Sequence, residues 1–239
     1  MDMQKLDKRL KEISGGKVLD VATGVGQFIA ALMPALKNYD SFVGIDTHDK
    51  ALTVAKTKFE NKPVEFMKMD ATQMDFKDEY FDTVAIQFSL HHMKNLGKVL
   101  KEMLRVLKSG GNFLVSEMYV DGQQSEAQQS HIKIHHLSAE LDMAQGDFHD
   151  YTFTRDKIRK IMYGLNLSSL EEYDVSYLME NPKHEELITT MKDRIGQAMK
   201  RHKDLPDFSR FQTKFDDFFS WLDEHGYAPA SSLFFIGRK

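Results

Sequence analysis

Val18-Leu19-Asp20-Val21-Ala22-Thr23-Gly24-Val25-Gly26 decides how this chain is read. An apolar run enters a glycine turn, and the residues after it, Gln27–Leu36, have helical periodicity. Gly24 and Gly26 permit positive φ and close backbone approach by a ligand. The free N–H groups at the start of the helix can meet a ligand's polar end. A dinucleotide fingerprint would carry Gly or Ala three residues after Gly26, but that position is Ile29, and no G-x-x-x-x-G-K-[ST] occurs in the chain. Instead, Asp20 stands four residues before Gly24. A carboxylate there repels pyrophosphate and suits a ligand with an ammonium group.

Outward from this stretch, short apolar runs alternate with amphipathic ones as far as Met118. The spacing predicts strands at Lys17–Ala22, Ser41–Ile45, Val64–Met69, Thr83–Phe88 and Asn112–Met118, with helices at Gln27–Leu36, Lys50–Phe59 and Leu96–Leu107. Apolar strands separated by helices indicate a parallel sheet covered on both faces, doubly wound with right-handed crossovers. Ser109-Gly110-Gly111 is read as the turn that ends the Leu96–Leu107 helix. After Met118 the rhythm changes. Asp121–Ser130 reads as a loop and His131–Gln145 as a helix. Thr154–Tyr163 is a short helix with Thr154 as its cap, and Leu167–Tyr177 is a strand. Lys183–Lys203 and Asp207–His225 are helices, and Ser232–Ile236 is a last strand.

The second predicted strand runs into Asp46, and the third is followed by Asp70-Ala71. Either acid alone is explained as a helix or turn cap, with Thr47 an alternative cap beside Asp46. Three carboxylates at consecutive strand ends instead crowd the crevice where doubly wound sheets bind ligands. Asp46 can accept from a ribose diol and Asp70 from an adenine amino group. S-adenosyl-L-methionine, with its sulfonium, ammonium, ribose and adenine, fits this charge.

On these residues the chain resembles the class I S-adenosylmethionine-dependent methyltransferases. Asp20–Gly26 is similar to their glycine loop, with Ala22 where many members carry a first glycine. Phe81-Asp82-Thr83-Val84-Ala85, leading to Gln87, resembles their fourth strand. Leu107-Lys108-Ser109-Gly110-Gly111 resembles their L-K-P-G-G turn, with serine for proline. Ser89-Leu90-His91-His92-Met93 gives it the flavour of the small-molecule branch similar to quinone-biosynthesis methyltransferases.

The resemblance implies an α/β fold, a doubly wound seven-stranded and mostly parallel sheet with the last strand antiparallel, and a helical cap from insertions. The expected organisation is a cofactor-binding core at 1–120, a helical insertion at 121–165, and the last two strands at 166–239 with a cap at 183–225 inserted between them. It implies that Asp20, Ala22 and Gly24 line the methionine moiety, with Thr23 and Gly26 in the same loop. Asp46 and Thr47 would serve the ribose, Asp70 and Ala71 the adenine, and Gln87 the methionine end through its backbone.

For a nucleophile that must lose a proton, the candidate bases are His91, His92 and His135, with Glu117 in reserve. His131, His135 and Asp142 share a helical face and invite a two-His-one-carboxylate reading. We read that flank as lining a substrate pocket, and expect no metal.

The remaining features limit the alternatives. The 239 residues contain no cysteine, which excludes disulfides, thiolate metal sites and cysteine nucleophiles. With 32 Lys and Arg against 36 Asp and Glu, the formal charge of -4 gives no footprint for nucleic acid or an anionic membrane. The charged N-terminus MDMQKLDKRLKEI is no signal peptide, and no apolar run spans a bilayer, so a cytoplasmic protein with no membrane partner is expected. The expected acceptor is a small molecule. The alternatives are a methyltransferase acting on RNA or protein, and a catalytically silent cofactor-binding interaction protein. The stripe Phe208, Phe211, Phe215, Phe218 and Leu222 reads as core packing, with a homodimer face as the minority reading.

Overall fold

The structure, a computed structural model, describes residues 2–177, 179–200, 202–205 and 207–239. Its elements are α1 (Asp2–Leu10), β1 (Lys17–Val21), α2 (Gln27–Ala35), β2 (Ser41–Asp46), α3 (Asp49–Lys58), β3 (Val64–Lys68), β4 (Phe81–Gln87), α4 (Leu96–Val106), β5 (Leu107–Met118), α5 (Glu126–Gln145), α6 (Arg155–Tyr163), β6 (Ser169–Val175), α7 (Glu185–Lys200), α8 (Phe208–His225) and β7 (Ser232–Arg238). A single 3₁₀ turn, Leu90–His92, follows β4.

The seven strands form one sheet in the order β3-β2-β1-β4-β5-β7-β6. β1 pairs in parallel with both β2 and β4, and β6 pairs antiparallel with β7. This is the doubly wound, mostly parallel sheet with an antiparallel last strand that the sequence implied. The strand order reverses between β1 and β4, the point at which such sheets leave a crevice at the strands' carboxyl ends.

Contacts divide the chain into two compact units. The first comprises Met1–Glu117, Asp156–Val175 and Ser232–Lys239, and the second Met118–Arg155 with Ser176–Ser231. The sheet unit is built on Val18, Phe28, Ile29, Phe42, Phe66, Ala85 and Leu114, all buried in one cluster. β1 and β4 are buried on both faces, which is why they read as unbroken apolar runs. In the helical unit, Phe211 and Phe215 pack with Leu141 and Met199, while Phe218 and Leu222 pack with Ile188. The phenylalanine stripe is therefore the core of that unit.

The structure adds one element and corrects two local expectations. The N-terminal residues form helix α1, and Leu6 and Leu10, one helical turn apart, are buried in the sheet unit's core. Asp121–Ser130 is not all loop, because α5 begins at Glu126. Ser125 caps it by accepting from the Gln128 backbone, and the Gln128 side chain accepts from the Ser125 N–H in return. Ser109-Gly110-Gly111 does not end α4, since Leu107 already pairs with Phe81 as part of β5. The register then jumps to Thr83 opposite Asn112, so Lys108–Gly111 bulges out of the ladder. Among the described residues, no helix is long and apolar enough to cross a membrane.

Candidate functional site

The carboxyl ends of β1, β2 and β3, with the turn after β4, enclose a cavity of about 300 Å3. Ala22, Asp46, Thr47, Asp70, Ala71, Ser89 and His92 all line it. Five of the ten residues expected to serve the cofactor are therefore in its wall.

The loop after β1 is held in an unusual conformation. Ala22 has φ 54 and Gly24 φ 52, and a Cβ at Gly24 would meet nothing within 4 Å. The Gly24 backbone is thus open to close approach. Gly26 (φ 77) caps α2, and its missing side chain makes room for Phe59, whose Cε2 would lie 2.6 Å from a Cβ. Gly26 is therefore required by packing.

Ala22 has no such excuse for its left-handed backbone, nor has Phe88 (φ 47) just past β4. Both follow strands that flank the order switch, and strain of this kind clusters at ligand sites. A left-handed L-residue costs about 1–2 kcal/mol, partly offset by the extra unfolded-state entropy of glycine. Ala22→Gly is therefore expected to raise stability by about 0.5–1 kcal/mol in urea unfolding.

Asp46, at the end of β2, accepts from Gly24 N at 2.8 Å through Oδ2 and from His48 N at 2.9 Å through Oδ1. Its Oδ1 also lies 3.0 Å from His48 Nδ1. The N-cap position of α3 falls on His48, where no side chain caps the helix, so neither Asp46 nor Thr47 is that cap. Asp46 instead joins the tip of β2 to the glycine loop of β1. Asp70 is exposed, and its Oδ1 accepts from Thr72 N at 2.7 Å, which shapes the turn after β3.

Asp20 is 1% exposed and does not line the cavity. Thr23 Oγ1 donates to its Oδ2 at 2.7 Å, and its Oδ1 is buried with no hydrogen-bond partner. Burial, aided by the charge of Asp46, pushes its carboxyl up to about 7. Thr23 is buried and supports Asp20, which stands behind the loop with Oδ1 as an orphaned acceptor. At the end of β4 the Gln87 carbonyl accepts from Ser89 Oγ at 2.7 Å, and Ser89 lines the cavity.

Of the candidate bases, His92 is in the cavity wall and its ring lies 4.3 Å from that of His91. His91 is buried, with Nδ1 2.8 Å from Glu117 Oε1. His135 is on α5 in the helical unit, half-buried, with its ring edge-on to His131 at 4.9 Å. The triad considered on that helix is given separate partners. His131 Nδ1 accepts from Ala230 N at 3.0 Å, and Asp142 pairs with His149 Nδ1 at 2.7 Å.

Residues 19–115 match a protein-family model described as a methyltransferase domain. A demethylmenaquinone methyltransferase of Bacillus cereus is 38% identical over 106 residues, covering 43% of this chain and 45% of that protein. The match thus spans less than half the length of this curated relative. Among solved structures, a Bacillus halodurans protein described as a methyltransferase superposes with a TM-score of 0.60 at 21% identity, over 100% of this chain and 99% of that one. Haemonchus contortus phosphoethanolamine N-methyltransferase 2, in complex with S-adenosyl-L-methionine, superposes with a TM-score of 0.55 at 19% identity, over 98% of this chain and 51% of that one. At these identities the structural likeness is one of fold.

Proposed function

We propose that this chain, with a methyltransferase domain at residues 19–115, is an S-adenosyl-L-methionine-dependent methyltransferase acting on a small molecule of the quinol class. The observation that carries the reading is the cavity at the strand tips, with carboxylates of Asp46 and Asp70 in its wall and the buried acceptor of Asp20 behind its loop. These residues fit the cofactor: Asp46 accepts from the ribose hydroxyls, Asp70 and Ala71 hold the adenine, and the Gly24 backbone allows the methionine end to approach. Oδ1 of Asp20 supplies an acceptor for an ammonium group, directly or through a water.

When bound, the cofactor supplies a methyl carbon already activated by a sulfonium for in-line displacement. The protein's share is then alignment and exclusion of water. The cavity wall sets the alignment. A proton leaving the acceptor goes to a histidine of the Ser89–Met93 turn, and we assign this role to His92, which lines the cavity, with His91 beside it. The relatives named for demethylmenaquinone motivate the acceptor class.

Titration calorimetry tests the cofactor. S-adenosylmethionine and its demethylated product are expected to bind with one site per chain, and NAD is expected to give no heat. Binding of NAD, or none of S-adenosylmethionine, sinks the reading. A short-chain demethylmenaquinol with methyl-labelled cofactor tests the acceptor, by label recovered in the quinol.

A further inference from the structure

A carboxylate has about four lone-pair sites, two on each oxygen. At the tip of β2 the chain itself takes three of those on Asp46. Gly24 N donates to Oδ2 at 2.8 Å, and His48 N donates to Oδ1 at 2.9 Å. The His48 ring takes the third, with Nδ1 3.0 Å from Oδ1. Only Oδ2 keeps a site, whereas the two hydroxyls of a ribose diol need two acceptors.

The three occupants differ in how firmly they are held. Two are backbone groups, one in the loop after β1 and one in the turn entering α3. The third is a side chain 81% exposed, against 9% for Asp46. Beyond Asp46, the ring nitrogen meets Thr47 Oγ1 at 3.4 Å, near the outer limit of hydrogen bonding. Nor does the ring serve α3, because His48 occupies the N-cap position without making a capping bond. Exposed side chains change rotamer on a fast timescale, so the ring is the removable occupant.

We propose that His48 is an internal competitor for the ribose site: its imidazole holds Oδ1 of Asp46 until a ribose diol displaces it, and so sets the affinity for adenosyl ligands. This role rests on the reading of Asp46 as the ribose acceptor given above. Whichever nitrogen carries hydrogen, a ring atom 3.0 Å from Oδ1 leaves no room for a hydroxyl oxygen at the same lone pair. His48 and Asp46 both line the cavity, so the ring leaves without any opening of the fold. Once it swings away, Oδ1 and Oδ2 each have a free site, matched to neighbouring hydroxyls of one sugar. The apparent affinity is the intrinsic affinity reduced by the fraction of molecules whose carboxylate is clear. A ligand without the diol gains nothing from a clear Oδ1.

His48→Ala tests this directly, because truncating so exposed a ring removes no core packing. Titration calorimetry compares S-adenosylhomocysteine with its 2′,3′-dideoxy analogue, by displacement where binding is weak. The proteins are the intact chain, His48→Ala, Asp46→Ala and the double variant. S-adenosylhomocysteine is expected to bind His48→Ala about two- to tenfold more tightly than the intact chain, the range for one exposed hydrogen bond that must first open. The dideoxy analogue should show no gain. The gain for S-adenosylhomocysteine should also vanish in the Asp46→Ala background, since ring and ribose compete for that one carboxylate.

Unchanged or weaker binding of S-adenosylhomocysteine by His48→Ala overturns the competitor role, and weaker binding would make the ring a ligand contact instead. An equal gain for the dideoxy analogue, or one that persists in Asp46→Ala, overturns it too, because the ring would then obstruct the cavity at large. If neither the intact chain nor His48→Ala binds S-adenosylhomocysteine, the functional reading fails and the role of His48 falls with it. Binding without the gain removes the role of His48 alone, so the two failures are distinct.

Discussion

Asp20→Asn is expected to flatten the dependence of stability on pH across the neutral range. In the folded protein the carboxyl of Asp20 is raised from 3.8 to about 7, first because burial penalises its charged form and then because Asp46 adds like charge. Between those two values the folded chain holds a proton that the unfolded chain has released. By linkage, stability falls as pH rises through this window. The contribution is fully present below the unfolded value and is lost above the folded one. Above about pH 8 the buried charge then costs on the order of 2–4 kcal/mol. Asparagine mimics the protonated acid, because one oxygen still accepts from Thr23 Oγ1 and the other position carries a donor.

Urea unfolding of the intact protein and the variant, each at about pH 6 and about pH 9, measures the difference. Because the loss begins near the unfolded value, the variant should already be ahead of the intact protein at the lower pH and gain roughly a further 1.4 kcal/mol on it by the higher. Parallel pH profiles would show that Asp20 is ionised throughout. The same acid bears on the cofactor: a ligand ammonium drawn to Oδ1 favours the carboxylate, so binding of S-adenosylmethionine near pH 6 should release a proton. The buffer dependence of the binding enthalpy reads that release, which Asp20→Asn should remove.

What the sequence discloses about this site divides by distance along the chain. The glycine loop and the acids at the tips of β1 to β3 are legible because each is a short-range pattern, a strand ending in a particular residue. α1 also left a local trace, Leu6 and Leu10 at helical spacing, and α5 left one in the Ser125–Gln128 capping box; both traces are visible in the sequence once looked for.

The pairing of Glu117 with His91 left none, since 26 positions separate them and only the adjacency of β4 and β5 joins them. The roles within the loop are equally hidden. Thr23 and Ala22 are neighbours in sequence, yet one turns inward to Asp20 and the other lines the cavity, a division set by the left-handed backbone at Ala22. The bulge at Lys108–Gly111 was misread because a serine-glycine pair signals a helix stop and a strand irregularity alike.

Asp46→Ala is expected to weaken S-adenosylmethionine binding by about 1.5–3 kcal/mol, a factor of roughly 10–100, by titration calorimetry. Two losses combine. The acceptor proposed for the ribose hydroxyls is removed from the cavity wall, and Gly24 N–H loses the partner that holds the loop against the tip of β2. Asp46→Asn separates them. The asparagine oxygen can serve Gly24 N–H or His48 N–H, and whichever it leaves then faces an amide donor. If loop order is the larger loss, asparagine should be almost as damaging as alanine. If ribose recognition is the larger, asparagine should keep part of the affinity through its remaining acceptor. Asp46→Glu has both acceptors but an extra methylene that displaces them from Gly24, so it too should bind weakly. Unchanged affinity in Asp46→Ala would remove Asp46 from the cofactor site and, with it, the argument that the acids at the strand tips form one cradle.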